Sequence, residues 1–239
     1  MIWQEYVKTL TETLDLKGHI IALTYTYDDI EGASGEPCRV CNALMKAHHG
    51  ETIALTAKNS TCPGGTWHLG LGDPPSGEAG KALMNFLVYG EKLACSYATF
   101  HRMMALTSPP PKGVADHIVF APMDAMPLEP DLAIFIVNAE QTCRLLTLYS
   151  YSTGKAPRTE MMGSGCHMAV AYPLVSGEMN VSFSDWTARP MMKMQPDELI
   201  VSVPYYLLPG IIEAIPRCTA GTAEGRPISE FMARANLND

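Results

Sequence analysis

Cys38-Arg-Val-Cys41-Asn-Ala-Leu-Met-Lys-Ala-His-His-Gly50-Glu-Thr-Ile-Ala-Leu-Thr-Ala57 is the stretch on which the fold turns. Arg39–His48 carries apolar residues at helical spacing and meets Gly50, a natural stop, while Glu51–Ala57 is short and apolar enough for a strand. Upstream, His19–Tyr27 is rich in Ile, Thr and Tyr and reads as a strand, and Asp28–Pro37 has the Gly, Ser, Asp and Pro content of a loop. Downstream, Asn59-Ser-Thr-Cys62-Pro-Gly-Gly65 reads as another loop. Strand, loop, helix, strand is the rhythm of an α/β (or α+β) protein with a mixed sheet flanked by helices.

The rest of the chain keeps this rhythm. Ile2, Tyr6, Leu10 and Leu14 recur every four residues, which predicts an amphipathic helix over the first 16. Gly80–Tyr89, Ser96–Leu106, Ala139–Tyr151 and Pro204–Ile215 read as helices. Ile118–Pro122, Asp131–Asn138, Met168–Pro173, Asn180–Ser184 and Asp197–Val203 read as strands, and the last 20 residues are polar and peripheral. Ser108-Pro-Pro-Pro111 is a stiff connection, so the expectation is one compact domain over 1–239, or two lobes at 1–108 and 112–239. An internal echo suggests two pseudo-symmetric βαβ-like halves: Cys41, helix, Gly50, strand, Cys62 against Cys143, helix, Gly154, strand, Cys166.

Composition narrows the function. At 47% hydrophobic the chain can bury a full core, and 17 basic against 25 acidic side chains give a net charge of −8 without any basic run, which argues against nucleic acid as a partner. The N-terminus lacks the pattern of a signal peptide, and no apolar run approaches the ~20 residues of a spanning helix, so a cytoplasmic protein without a membrane segment is expected. Seven cysteines in such a chain point to thiol or metal chemistry rather than to disulfides.

Cys38-x-x-Cys41 lets two sulfurs face one ion; Cys62 precedes Pro-Gly-Gly and Cys166 lies among Gly163, Gly165 and His167, where the backbone is open. Four soft ligands from three loops suit an iron–sulfur cluster, [4Fe-4S] before other forms, or zinc. Cys95, Cys143 and Cys218 read as ordinary core cysteines. A rival reading makes Cys166 a nucleophile with His167, His68 or His101 as base, although Gly163-Ser-Gly-Cys-His167 lacks the spacing of a nucleophile elbow. Arg189 is a candidate anion anchor, and neither a dinucleotide fingerprint nor a Walker motif is present.

Several landmarks resemble the domain of unknown function 169 family of cysteine-rich proteins from archaea and anaerobic bacteria. They are Cys41 before a helix and Gly50-Glu51, Cys62 leading into Leu69-Gly-Leu-Gly72, Pro130-Asp131, Gly154, Cys166 with Ala169-Val-Ala-Tyr-Pro173, and Asp197-Glu-Leu199 with Val203-Pro204. The resemblance covers about His19 to Ile215 and implies an anaerobic setting and iron–sulfur binding. It also implies a cysteine a few residues before Arg189, where this chain has Ser184-Asp185; either Cys38 replaces that ligand or Asp185 supplies an oxygen. The expectation is thus a cluster on Cys41, Cys62 and Cys166, completed by Cys38 or Asp185, acting in electron transfer or as a Lewis acid. A redox protein or a small molecule is its expected partner, and a homo-oligomer is compatible with it. The alternatives are a metal-free cysteine enzyme and a binding module whose cysteines, or zinc, are structural.

Overall fold

Six strands, β1 (Ile21–Thr26), β2 (Ile53–Leu55), β3 (His117–Pro122), β4 (Leu132–Val137), β5 (Asn180–Ser182) and β6 (Leu199–Pro204), form one open sheet in the order β2-β3-β1-β4-β6-β5. The computed structural model describes residues 1–107, 109–161 and 163–222. Every strand pairing is antiparallel rather than mixed, because the crossovers β1 to β2 and β4 to β5 each leave a gap that a later, reversed strand fills. β3, which follows the triple proline, lies between β1 and β2, so the sheet runs across the 108/112 boundary. Ser108 and the polar tail from residue 223 onward lie outside the described residues.

Both faces of the sheet are covered, which is why β4 reads as an unbroken apolar run. Alternate side chains serve two cores: Ala133, Phe135 and Val137 point to one, and Leu132, Ile134 and Ile136 to the other. The first core lies under helices α1 (Ile2–Leu14), α6 (Ala139–Thr153) and α9 (Leu208–Ala214). α6 starts on a capping box, in which Asn138 Oδ1 accepts from Gln141 N and Gln141 Oε1 accepts from Asn138 N, both at 2.9 Å, and it ends at left-handed Gly154.

The second core carries the site. It is covered by α2 (Val40–His48), α8 (Ala188–Met192) and a helix of two parts, a π-helical turn at His167–Ala171 leading into α7 (Tyr172–Ser176). The sequence pattern predicts a strand at Met168–Pro173, and the structure corrects it. His167 to Ala171 are all buried, so no polar side marks a period, and a buried apolar run suits either element. The short helices α3 (Pro63–His68) and α8 are likewise absent from the sequence reading. A satellite of α4 (Gly77–Asn85), a π-helical turn at Phe86–Gly90 and α5 (Tyr97–Ala105) packs around Val88, Ala94 and Phe100. α10 (Thr219–Thr222) closes the described chain.

The strand order reads the same from either edge once β1, β2 and β3 are exchanged for β4, β5 and β6, and the register obeys the exchange residue by residue. Ile21 opposes Pro122 as Leu132 opposes Pro204, and Ile53 opposes Phe120 as Asn180 opposes Ser202. Outside the strands, Met123 N donates to Ile20 O at 2.8 Å and Tyr205 N to Asp131 O at 2.9 Å, again equivalent positions. An approximate two-fold axis therefore passes between β1 and β4.

The halves are real, but their sequence equivalence differs from the echo of Cys143 and Gly154. Gly50-Glu51 and Gly177-Glu178 each stand with the glycine at positive φ three positions before a strand, so α2 corresponds to the helix that starts near Cys166. Cys143 sits exposed on α6, which covers the other face.

Candidate metal centre

On the second face the two halves meet across this axis, for α2 packs against α8 and α3 against the π-helical turn. Cys41 lies in the first turn of α2, Cys62 is the N-cap of α3, Cys166 immediately precedes the π-helical turn, and Asp185 precedes α8. The pairing is symmetric in its details. Cys62 Sγ accepts from Gly65 N at 3.5 Å, and Asp185 Oδ1 accepts from Ala188 N at 2.7 Å, in both cases three residues on.

The loops that carry these residues are stapled in place. Cys38 N donates to Asn59 O at 2.9 Å and Thr61 N to Cys38 O at 3.0 Å, which joins the segment before α2 to the segment before α3. Buried Asn59 adds bonds from Nδ2 to Gly35 O (3.0 Å) and Ala54 O (2.8 Å). In the other half, Asn180 Nδ2 reaches Met168 O at 2.8 Å and Ser202 Oγ reaches Ala169 O at 2.7 Å. These bonds satisfy carbonyls in the π-helical turn and hold Cys166 in register.

The charges of Cys166, Asp185 and Cys62 are all felt at Cys41. Burial pushes the Cys41 thiol well up, and the negative charges of Cys166, Asp185 and Cys62 push it further. Burial also raises Cys62, with Gly65 N–H lowering it and Cys166 raising it, while Arg39 supplies the opposing cation. Burial lifts Cys166 to about 11, against the Ser164 hydroxyl and with Asp185 adding to the rise. Asp185 is itself raised by burial, against the Ala188 and Thr187 amides.

The other expected residues are placed differently. Cys38 is not drawn into this group: its Sγ lies 3.3 Å from Arg39 O, burial raises it, and its charged neighbours are Lys46 and Glu51. Arg189 is a backbone clamp rather than a free anion anchor, since its guanidinium donates to Phe183 O (2.9 Å), Glu198 O (3.0 Å), Gln195 O (2.6 Å) and Pro196 O (3.3 Å). His68 Nδ1 stands 3.4 Å from Cys166 Sγ, and its ring lies 5.2 Å from that of His167. Burial lowers both imidazoles to about 4, and the Nε2 atoms of both, with Ser184 Oγ, are buried without a partner among the described residues. His101 sits apart on α5.

The donor set fits a metal-containing group. Three thiols and a carboxylate, Cys166 buried and the others half-buried, repel one another once ionised, and positive charge among them would remove both the repulsion and the protons. Among the described residues, no three His, Cys, Asp or Glu side chains stand close enough to hold a single ion.

A family model described as uncharacterised ArCR, DUF169, matches residues 9–214. The chain belongs to the DUF169 family. No curated protein and no solved structure matches it. Within this DUF169 chain, the three cysteines, Asp185 and the idea of two pseudo-symmetric halves were legible in the sequence, whereas Arg39 and the true sequence equivalence of the halves were missed. The Gly-Glu pair at 50–51 and again at 177–178 is the signal that could have shown the latter.

Proposed function

We propose that this protein holds an iron–sulfur cluster on Cys41, Cys62 and Cys166 and uses it in redox or Lewis-acid chemistry. The observation that carries the reading is the placement of Cys41, Cys62 and Cys166, from three separate segments, at the starts of three helical elements on one face of the sheet, with the charges of Cys62 and Cys166 both acting on Cys41. A mononuclear tetrahedral site brings its sulfurs to about 3.8 Å of one another, given Zn–S bonds near 2.3 Å. A multi-iron cage is likewise held by thiolate ligands. The cluster would supply electron storage or an electrophilic iron; the protein supplies the thiolates and the nearby imidazoles.

Localisation belongs to the same reading. We place the protein in the cytoplasm, where thiols stay reduced; among the described residues all the cysteines are free and no helix is long and apolar enough to cross a membrane. A redox protein or a small molecule is the partner such a centre requires.

Anaerobic purification followed by iron and sulfide analysis tests the proposal. The expected result is a brown protein that absorbs near 400 nm and contains both elements in near-equal amounts; a colourless protein that retains zinc alone would overturn it.

The 3.4 Å contact between Cys166 Sγ and His68 Nδ1 supports a second reading, a metal-free cysteine enzyme. Against it, a thiol raised to about 11 beside an imidazole lowered to about 4 makes a neutral pair at pH 7, not the thiolate that attacks. Selective alkylation of Cys166 by iodoacetamide at neutral pH in the metal-free protein would favour this reading.

A further inference from the structure

The geometry points to His68 as a positioning residue that donates a hydrogen bond from Nδ1 to the Cys166 sulfur and so raises the reduction potential of the cluster. The inference rests on the cluster reading and deepens it, naming the side chain that tunes the electron affinity of that site. Cys166 Sγ and His68 Nδ1 lie 3.4 Å apart across 98 positions of sequence, within hydrogen-bond reach for sulfur. A sulfur bound to iron carries no proton. The only hydrogen this contact can then hold is the one on Nδ1, so the imidazole donates and the sulfur accepts. That tautomer leaves His68 Nε2, buried without a partner among the described residues, as a lone pair instead of a stranded N–H.

The ring is held in place by its surroundings. His68 is only 4% exposed, and it packs on Trp67, with centroids 4.8 Å apart, and on His167, at 5.2 Å. α3 starts at Cys62, whose Sγ accepts from Gly65 N, and ends at His68. Gly70 then turns the chain at φ 71°, and Gly113 N donates to Gly70 O at 3.1 Å, which ties this end of the helix to the chain beyond the triple proline. One short helix therefore carries a proposed ligand at its start and, at its end, the donor to a proposed ligand of the other half. Reduction adds an electron and makes the sulfurs more negative, so an N–H donor stabilises the reduced form more than the oxidised one.

The test compares wild type with His68→Phe, which keeps a flat ring without a donor, and His68→Asn, whose amide nitrogen can stand near the Nδ1 position. All are purified anaerobically and assayed for iron and sulfide, which should match. In a mediated titration dithionite supplies one electron per cluster, [4Fe–4S]2+ becomes [4Fe–4S]+, and electron paramagnetic resonance follows the reduced form. His68→Phe should shift this equilibrium about tenfold towards the oxidised form, a fall of about 59 mV, and His68→Asn should recover at least about half of it. Equal potentials in His68→Phe and wild type, or a His68→Asn value as low as that of His68→Phe, would overturn the role of His68 and leave the cluster reading standing. Should His68→Phe fail to fold or to keep its iron, wild type and His68→Asn carrying ring-15N histidine decide. Pulsed resonance of the reduced wild type should show an imidazole 15N coupling that His68→Asn lacks, and the absence of that difference would overturn the inference. Wild-type protein without iron and sulfide would overturn the cluster reading and this inference with it.

Discussion

The two halves of the sheet share their strand order and register and differ in how they build the helices that meet near the axis. In the β1–β3 half, α2 is regular, and apolar Ile53 and Phe120 lie where Asn180 and Ser202 stand in the β4–β6 half. In the second half the helix opens with a π-helical turn, and those two polar side chains bind the carbonyls of Met168 and Ala169 within it. Buried polar residues in the second half are thus the counterpart of a distorted helix, while the first half relies on apolar packing. The same contrast reaches the helix starts on the second face, two cysteines on one side and a cysteine with an aspartate on the other.

The largest effect should come from breaking either half's thiol. Cys41→Ser and Cys166→Ser should each lower iron per chain by at least ~10-fold, measured by elemental analysis, whereas Cys38→Ser should leave it near the wild-type value. Equal loss from Cys38→Ser would return that residue to the ligand set. Next comes the packing contrast: Phe120→Ala should cost about 3–5 kcal/mol in urea unfolding and Ser202→Ala about 1–3 kcal/mol, because one leaves a cavity and the other strands a carbonyl. Of the two equivalent glycines, Gly50 has φ 106° and Gly177 has φ 68°. Gly177→Ala, which can enter the left-handed region, should cost about 1–2 kcal/mol, and Gly50→Ala should cost more in the same assay.

The smallest effect concerns pH. The first half's helix ends on His48, held below its usual value of 6.5 mainly by burial; α7 ends on Ser176. The unfolded chain therefore binds this proton more readily, so its contribution to stability is present above about 6.5 and is lost as pH falls below it. His48→Gln should accordingly gain on wild type between pH 7.5 and 5.5 in thermal melts of the metal-free protein. A constant difference between the two would show that the His48 environment is not what sets its titration.

Much of this was legible beforehand because β1, β3, β4, β6, α1, α2 and α6 carry either strong periodicity or clear end signals such as Gly50, Asn138 and Gly154. The three cysteines were legible from glycines and proline around them. What was hidden is long-range or fully buried. His167–Ala171 has no exposed side to betray a helix, α3 and α8 are too short to show a period, and Arg189 looks free until Gln195, Pro196 and Glu198 fold back onto it. The antiparallel pairing was hidden too, since strands covered on both faces lose the alternation that marks a one-sided sheet.

The seam between β1 and β4 is held by three register pairs, Ile21 with Ile134, Ala22 with Ala133 and Leu23 with Leu132, against six on either side of it. The chain is in effect a dimer threaded on one string, and Cys41, Cys62, Cys166 and Asp185 straddle the join. A cluster seated there would act as a rivet, so its loss should quicken amide exchange along this midline before the outer strands respond.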